Sequence, residues 1–335
     1  MVNFGLKIVR HSKLLCSIIL IFSGIVCSCI KDIDHRYAPV KNASRIYKTR
    51  NVVIIVVDGL RYSEGWGDST HQYIPRMAET LSKQGVINTR FYNRGETYTL
   101  AGHTSLTTGV YQSINNEGME YPKNPSIFQY WNQEYGNNQI KSWIITSKDK
   151  LAVLGDCTDG LWKGKFIPSV NSGVDGLGLG SGYRDDNMTL ITAMEILKKN
   201  HPNLVLINFR EPDYSGHTGI WNAYIDGVRK TDEYVYLLWQ FLQNDSKYKN
   251  TTTIFVTSDH GRHLDGIADG FAGHGDECDG CRHLNFYACG PDFKKGTILN
   301  VNREQIDIPA TIAEMLGFNL PSGDGKVMTE LFKRR

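Results

Sequence analysis

Residues 51–59 read Asn-Val-Val-Ile-Ile-Val-Val-Asp-Gly, an unbroken run of β-branched apolar side chains that stops at an acid and a glycine. Alternate residues of a strand point to opposite faces, so a strand with one wet face alternates apolar and polar. This run does not alternate. It needs cover on both faces, which is the condition of an inner strand of a parallel sheet with helices above and below. The rest of the chain supplies those layers. Strand-like runs recur at 141–147, 203–209, 251–261 (ending at Asp259) and 283–291. Between them lie helical patterns at 74–85, 126–136, 187–200, 221–243 and 306–317. The first has Pro75 early and Gly85 as a stop. The last opens with Asp307 and Pro309 and closes at Gly317. In 221–243, Ile225, Val228, Val235, Leu238 and Leu242 fall on one stripe. Alternating strands and helices predict an α/β fold: a mostly parallel central sheet with helices on both faces, a three-layer sandwich.

The N-terminus has a different character. Lys7, Arg10 and Lys13 precede an apolar run over 14–27. That is the pattern of a secretory signal peptide, and the run is short of the ~20 residues that a membrane span requires. Val26-Cys27-Ser28-Cys29 is similar to a bacterial lipobox, with Cys29 as the lipidated residue. Residues 30–50 read as a polar tether, and 51–335 as the folded domain. The expectation is an exported protein, at the cell surface or in the periplasm, held to the membrane through lipid on Cys29. Of seven cysteines, four lie beyond this segment: Cys157, Cys278, Cys281 and Cys289. Outside the cytoplasm disulfides are permitted. Cys278-Asp-Gly-Cys281 has no second Cys-x-x-Cys to complete a zinc knuckle, so it reads as a local disulfide or as free thiols. A formal charge of +2 carries no signal for nucleic acid.

In open α/β sheets, ligands bind at the carboxyl ends of the strands. Asp58 ends the first strand, Asp213 and His217 follow the strand 203–209, and Asp259 and His260 follow the strand 251–258. His274 lies in the loop before 283–289, and the Gly-rich stretch 172–187 reads as a surface loop nearby. An aspartate after a strand commonly caps a helix, and a lone histidine is commonly a hydrogen-bonded surface or core residue. Gathering three of each at one edge is another matter, because unpaired charges are costly to bring together. Divalent metal ions resolve the conflict, and this donor set suits zinc, or manganese. The segment 94–111 crowds hydroxyl side chains around His103. Within it Thr99 is either an N-cap for a helix running through Ser105 and Leu106, or a nucleophile at a helix N-terminus.

The motifs resemble those of the alkaline phosphatase superfamily, in its type I phosphodiesterase/nucleotide pyrophosphatase and sulfatase-like branch. "VVIIVVDGLR" is similar to the opening strand with its metal-binding Asp, and "TLAGHTSLTTGVY" to the nucleophile segment. "PDYSGHTG" is similar to the Asp-x-x-x-His pair, "VTSDHG" and "GHGD" to the last metal motifs, and "DIPATIAEMLG" to the closing helix. They occur in family order over residues 51–317. The resemblance implies that Asp213, His217 and His274 hold one metal, that Asp58, Asp259 and His260 hold another, and that Thr99 meets the second as an alkoxide. Metal coordination lowers the pKa of a hydroxyl that is otherwise a poor nucleophile. Two ions about 4 Å apart stabilise the attacking and leaving oxygens of an in-line displacement. The implied reaction is hydrolysis of a small-molecule phosphate ester, diester or monoester, through a phospho-threonine. His103 is expected to orient or pack the nucleophile helix.

The departures matter equally. Sulfatases of this fold use a Cys or Ser within Cys/Ser-x-Pro-x-Arg, whereas position 99 is Thr and 101–103 are Ala-Gly-His. Family phosphodiesterases often carry an Asn beyond the nucleophile that binds a phosphoryl oxygen. Asn115 and Asn116 are near that place, and Arg94 is an alternative phosphate binder. His263 and His283 are spare histidines near the site. A phosphotransferase or mutase of the same fold is a rival reading, although the large insert domain of such mutases has no room in 335 residues. A non-catalytic binding module is the other.

Overall fold

The computed structural model describes residues 46–334; the export segment, Cys29 and most of the expected tether lie outside them. No helix among the described residues is long and apolar enough to cross a membrane. The folded unit begins a little before residue 51. The Thr49 amide and hydroxyl donate to Asp292 Oδ2 at 2.8 and 2.7 Å, and the Arg50 amide donates to the Thr251 carbonyl.

The strands, in chain order, are β1 (Asn51–Val57), β2 (Val86–Asn88), β3 (Phe91–Tyr92), β4 (Ser142–Thr146), β5 (Ser169–Ser172), β6 (Leu204–Phe209), β7 (Thr252–Thr257), β8 (His283–Leu284), β9 (Phe286–Cys289), β10 (Thr297–Leu299) and β11 (Arg303–Glu304). Eight form the main sheet in the order β10-β2-β9-β7-β1-β6-β4-β5, and β11-β3-β8 form a small second sheet. The helices are α1 (Thr99–Thr108), α2 (Ile127–Glu134), α3 (Asp186–Asn200), α4 (Asp213–Gly216), α5 (Trp221–Asn244), α6 (Asp279–Arg282) and α7 (Asp307–Leu316).

β1 lies between β6 and β7, parallel to both, and all seven of its residues are buried. Its alternate side chains go to two separate cores. Val52, Ile54 and Val56 pack with Leu100 and Leu106 of α1, Ile127 and Phe128 of α2 and Ile312 of α7. Val53, Ile55 and Val57 pack with Leu190 of α3 and Val228, Val235 and Leu238 of α5. Each such side chain gains roughly 1.5–3 kcal/mol from leaving water. The two-sided apolar run and the two-sided cover are the same fact.

Two expectations are corrected, and one strand runs against its neighbours in the mostly parallel sheet. The segment 74–85 is not a regular helix. The Ser82 amide donates to the Met77 carbonyl five residues back, a wider turn than the α-helical one, and Ser82–Gln84 then tighten. Its start is held from outside, because the Arg76 and Met77 amides donate to the buried Asp232 carboxylate of α5 at 2.7 and 2.9 Å. The run 283–291 is not one strand. It breaks at Asn285, whose buried amide donates to the Leu60 and Arg61 carbonyls and accepts from the Trp66 amide, so β8 joins the small sheet and β9 the main one. Finally, β9 is antiparallel to both β7 and β2. The chain leaves β7 at its carboxyl end, makes a long loop there, and re-enters at the same edge, so the next strand must run back.

At that edge, Asp186 ties three segments together. Its carboxyl accepts from Ser147 Oγ at 2.5 Å and from the Arg210 and Glu211 amides at 2.8 and 3.0 Å, joining the ends of β4 and β6 to α3. Burial pushes its pKa up to about 7, against an ordinary value of 3.8. A carboxyl whose folded pKa is raised binds its proton more tightly folded than unfolded. Its contribution is therefore fully favourable below 3.8 and is lost as pH rises to about 7. Stability of the parent chain is expected to fall across that window by an amount on the order of a few kcal/mol from this group. In Asp186→Asn the slope of melting temperature against pH should be shallower over the same range. Parallel slopes in parent and variant would refute the assignment.

Candidate active site

α1 is buried along its whole length although it is rich in hydroxyls. They fold back on the helix: Ser105, Thr107 and Thr108 donate to the Ala101, His103 and Thr104 carbonyls four residues earlier. Gly102 faces Asp259 so closely that a Cβ there would lie 2.3 Å from the Asp259 carbonyl oxygen. The capping expectation for Thr99 is corrected. Tyr98 is the N-cap residue, and Thr99 is the first residue of the helix. Its Oγ1 instead accepts from Lys148 Nζ at 3.1 Å.

That ammonium is buried. It also donates to Asp58 Oδ1 at 2.9 Å and Asp213 Oδ2 at 2.7 Å, so Thr99 and two expected metal-binding acids meet at one cation. Burial disfavours the charge on Lys148, but Asp213 and Asp58 outweigh it and hold the group protonated. Burial raises the pKa of Asp58, with Asp259 adding to the effect. On Asp213 burial acts the same way, but the Lys148 cation, the hydrogen bond with His217 and the Arg262 cation outweigh it and hold the carboxylate ionised. Burial also opposes ionisation of Asp259, and there His260 and His103 prevail.

The structure brings five of the expected ligands together in two compact sets: Asp58 and Asp259 with His103, and Asp213 with His260 and His274. These cut across the two triads that the resemblance implies, because the acids and imidazoles interleave. His260 Nε2 lies 3.6 Å from Asp58 Oδ1 and 3.4 Å from Asp259 Oδ2. The His260 and His274 rings stack at 3.8 Å. His217, half-exposed at 51% of its side chain, reaches His274 Nε2 at 3.3 Å and Asp213 Oδ1 at 3.4 Å.

The first part of this cluster fits a divalent ion. Asp259 Oδ2 and His260 Nε2 are buried without a hydrogen-bond partner. His260 Nδ1 is 2.8 Å from the Gly261 carbonyl, and His274 Nδ1 is 2.8 Å from the Thr97 carbonyl. A carbonyl accepts, so each Nδ1 carries the proton and each Nε2 presents a lone pair. Burial lowers the His274 pKa to about 2 despite the Asp213 charge, so the ring is neutral. The Asp213 end is partly provided for already. Arg262, fully buried, donates to Asp213 Oδ1 and sits 3.3 Å from His217 Nδ1.

His103 is part of the supporting frame. Asn208 Nδ2 donates to Asp58 Oδ2 at 3.1 Å and to His103 Nε2 at 3.2 Å, so His103 Nδ1 donates to the Thr99 carbonyl at 2.8 Å. Asn116 Oδ1 accepts from the Leu100 amide at 3.0 Å, beside the nucleophile position. Asn115 spends its side-chain oxygen on the Glu117 amide, and Arg94 is exposed and lies over the Tyr92 ring at 4.4 Å. His283 is packed between Tyr62 and Tyr92 at 3.8 and 4.6 Å. Three residues that sequence reasoning missed are Lys148, Asn208 and Arg262. Lys148 sits just past β4, at the same sheet edge, and the edge rule that found the acids applies to it equally.

Comparison with known proteins bears on the fold and the family. The chain resembles solved structures of a phosphonate monoester hydrolase from Silicibacter pomeroyi (TM-score 0.62, 15% identity, 84% of this chain and 76% of that one) and a sulfatase from Pseudoalteromonas sp. (TM-score 0.60, 14% identity, 86% and 74%), a likeness of fold. Among curated proteins, a 2,3-bisphosphoglycerate-independent phosphoglycerate mutase from Gracilaria tenuistipitata var. liui is 28% identical over 134 residues, which are 39% of this chain and 24% of that one. The corresponding mutase from Onchocerca volvulus is 29% identical over 131 residues, and the match again spans only 24% of its length. The family described as type I phosphodiesterase / nucleotide pyrophosphatase matches residues 52–263, more than half of the chain and most of the motifs that build the cluster. The chain therefore belongs to the type I phosphodiesterase / nucleotide pyrophosphatase family, within the alkaline phosphatase superfamily.

Proposed function

We propose that this chain is an exported, metal-dependent hydrolase of phosphate esters, with Thr99 as its nucleophile. The observation that carries the reading is the position of Thr99 Oγ1, at the start of α1 and 3.1 Å from an ammonium shared by Asp58 and Asp213. Asp58, Asp259 and His260 would hold one divalent ion with Thr99, and Asp213, His217 and His274 a second, of the zinc or manganese class. Such ions supply Lewis acidity that lowers the hydroxyl pKa and neutralises phosphoryl oxygens.

The chain's own residues do the rest. Lys148 Nζ has only donors, so it stabilises Thr99 Oγ1 as the oxygen gives up its proton. His103 holds the Thr99 carbonyl, which fixes the first turn of α1 and the direction of Oγ1. Oγ1 gives its proton to solvent and attacks phosphorus as the bond to the leaving oxygen breaks, and the departing alcohol takes a proton from solvent. Water then attacks the phospho-threonine, releases phosphate or a phosphate monoester, and restores the hydroxyl. Asn116, whose Oδ1 accepts from the next amide of α1, would donate its Nδ2 to a phosphoryl oxygen.

A one-ion version has its own support, because Lys148 and Arg262 already bring two positive charges to Asp213. Metal counting at the oxygen and nitrogen ligands separates the two. Replacing Asp259 by Ala is expected to remove metal and activity together in both versions. Replacing Asp213 by Ala removes a second ion only in the two-ion version. The activity itself is tested with chromogenic phosphate monoester, phosphate diester, nucleotide ester, phosphonate monoester and sulfate ester substrates. A phosphorus ester should be turned over, lost on chelation and restored by a divalent ion. Preference for the sulfate ester, or no turnover of any ester by the metal-loaded chain, would overturn the reading.

A further inference from the structure

The loop between β7 and β9 carries Asp259, His260, Arg262 and His274, and it closes on itself at a place that the catalytic reading does not use. Cys278 and Cys281, the lone Cys-x-x-Cys of the sequence, meet His263 and Asp276 there. Four donor atoms, two sulfurs, one imidazole nitrogen and one carboxylate oxygen, all lie within 4.8 Å of one another. We propose that these four residues form a structural cation site for an ion of the zinc class.

Three observations carry the proposal. First, His263 Nε2 is buried and has no hydrogen-bond partner, in a residue only 8% exposed. Its nearest acid is Asp276 Oδ2 at 3.4 Å. Second, both of these ligands are oriented from behind. His263 Nδ1 is 2.6 Å from Asp269 Oδ1, which fixes the proton there and leaves the Nε2 lone pair free. Asp276 spends its other oxygen, Oδ1, on the Cys278 amide at 3.0 Å. Third, two glycines let the loop ends approach. A Cβ on Gly261 would lie 2.0 Å from the Gly280 carbonyl oxygen, and one on Gly280 would lie 2.5 Å from the Arg262 carbonyl oxygen.

The donor set chooses the ion. Two thiolates with an imidazole and a carboxylate suit tetrahedral zinc and disfavour calcium or magnesium, which take oxygen ligands. Both thiols release their protons on binding. A Cys278–Cys281 disulfide would consume the sulfurs and leave the His263 lone pair facing the Asp276 carboxylate with no cation between them. Bound, the ion closes the loop from His263 to Cys281 around His274. The His263 amide on the Gly273 carbonyl (3.0 Å) and the Gly261 amide on the Cys281 carbonyl (2.8 Å) complete that closure. The site thereby steadies the segment that presents His274 to the cluster.

The test uses the full-length chain loaded with cobalt(II) in place of zinc. Thiolate-to-cobalt charge-transfer absorption in the near ultraviolet is expected in the parent chain. The catalytic cluster has no sulfur ligand and gives none, so the signal is independent of whether the chain hydrolyses phosphate esters. Cys278→Ser with Cys281→Ser should abolish the absorption and lower the zinc content by one equivalent per chain. His263→Ala should weaken zinc retention against a chelator while both thiols remain. Absence of the charge-transfer absorption in the cobalt-loaded parent would overturn the proposal, whatever the variants do. So would a Cys278–Cys281 disulfide in zinc-supplemented protein, found by peptide mapping.

Discussion

Thr99→Ala is expected to fold and bind metal much as the parent chain does, and to lose phosphate-ester hydrolysis by roughly 10⁴-fold or more, the scale on which removal of an attacking side chain acts in covalent catalysis. The fold should survive because α1 is held elsewhere. Its other hydroxyls bond within the helix, and Leu100, Ala101 and Leu106 are locked into the core. Metal should survive because Asp58, Asp259 and His260 remain. Thr99→Ser should keep part of the activity, since a hydroxyl stays within reach of Lys148. Acid quenching of the parent with a slow substrate should place a phosphoryl group on the peptide that contains Thr99. Near-normal turnover in Thr99→Ala would sink the mechanism and make water the attacking group.

Lys148→Ala should have the next largest effect, and on two quantities at once. The ammonium balances Asp58 and Asp213, both buried. Removing one partner of a buried ionic group strands the others, at a cost of about 3–5 kcal/mol. The metal-free variant should therefore melt well below the metal-free parent. Divalent ions should restore more stability to the variant than they add to the parent, because they now take up an unbalanced negative charge. Turnover of the metal-loaded variant should still fall by about 10²–10³-fold, since a donor aimed at the developing oxyanion is gone. A purely structural lysine would let added metal rescue stability and activity together. Full recovery of turnover in the metal-loaded variant would exclude a role for Lys148 at Thr99.

The sheet edge was legible because the rule behind it is local. A chain that ends a buried strand must emerge at an edge, and polar residues right after such strands cluster there whatever the details of the loops. Asp58, Asp213 and Asp259 were found that way, and Lys148 sits by the same logic just past β4. What lay beyond the rule was contact across elements. Asn208, inside an apolar strand, gives no outward sign that it bonds both Asp58 and His103. Asn115 and Asn116 are neighbours of the same type. Only the turn over 115–120 decides that Asn116 meets α1 while Asn115 bonds Glu117.

The amino-acid sequence by itself determined the layered α/β architecture, because an apolar run without alternation can be satisfied only by cover on both faces, and that requirement is written residue by residue in β1. It also determined which acids and imidazoles reach one edge. The tertiary structure alone decided the direction of β9, the interleaving of the two ligand sets, and the meeting of His263 and Asp276 with the Cys-x-x-Cys. These depend on how a long loop closes between strands and on which buried charges end up within a few ångströms of one another. Coulombic and hydrogen-bond partners far apart along the chain leave no periodic trace in it, whereas the burial of a strand does.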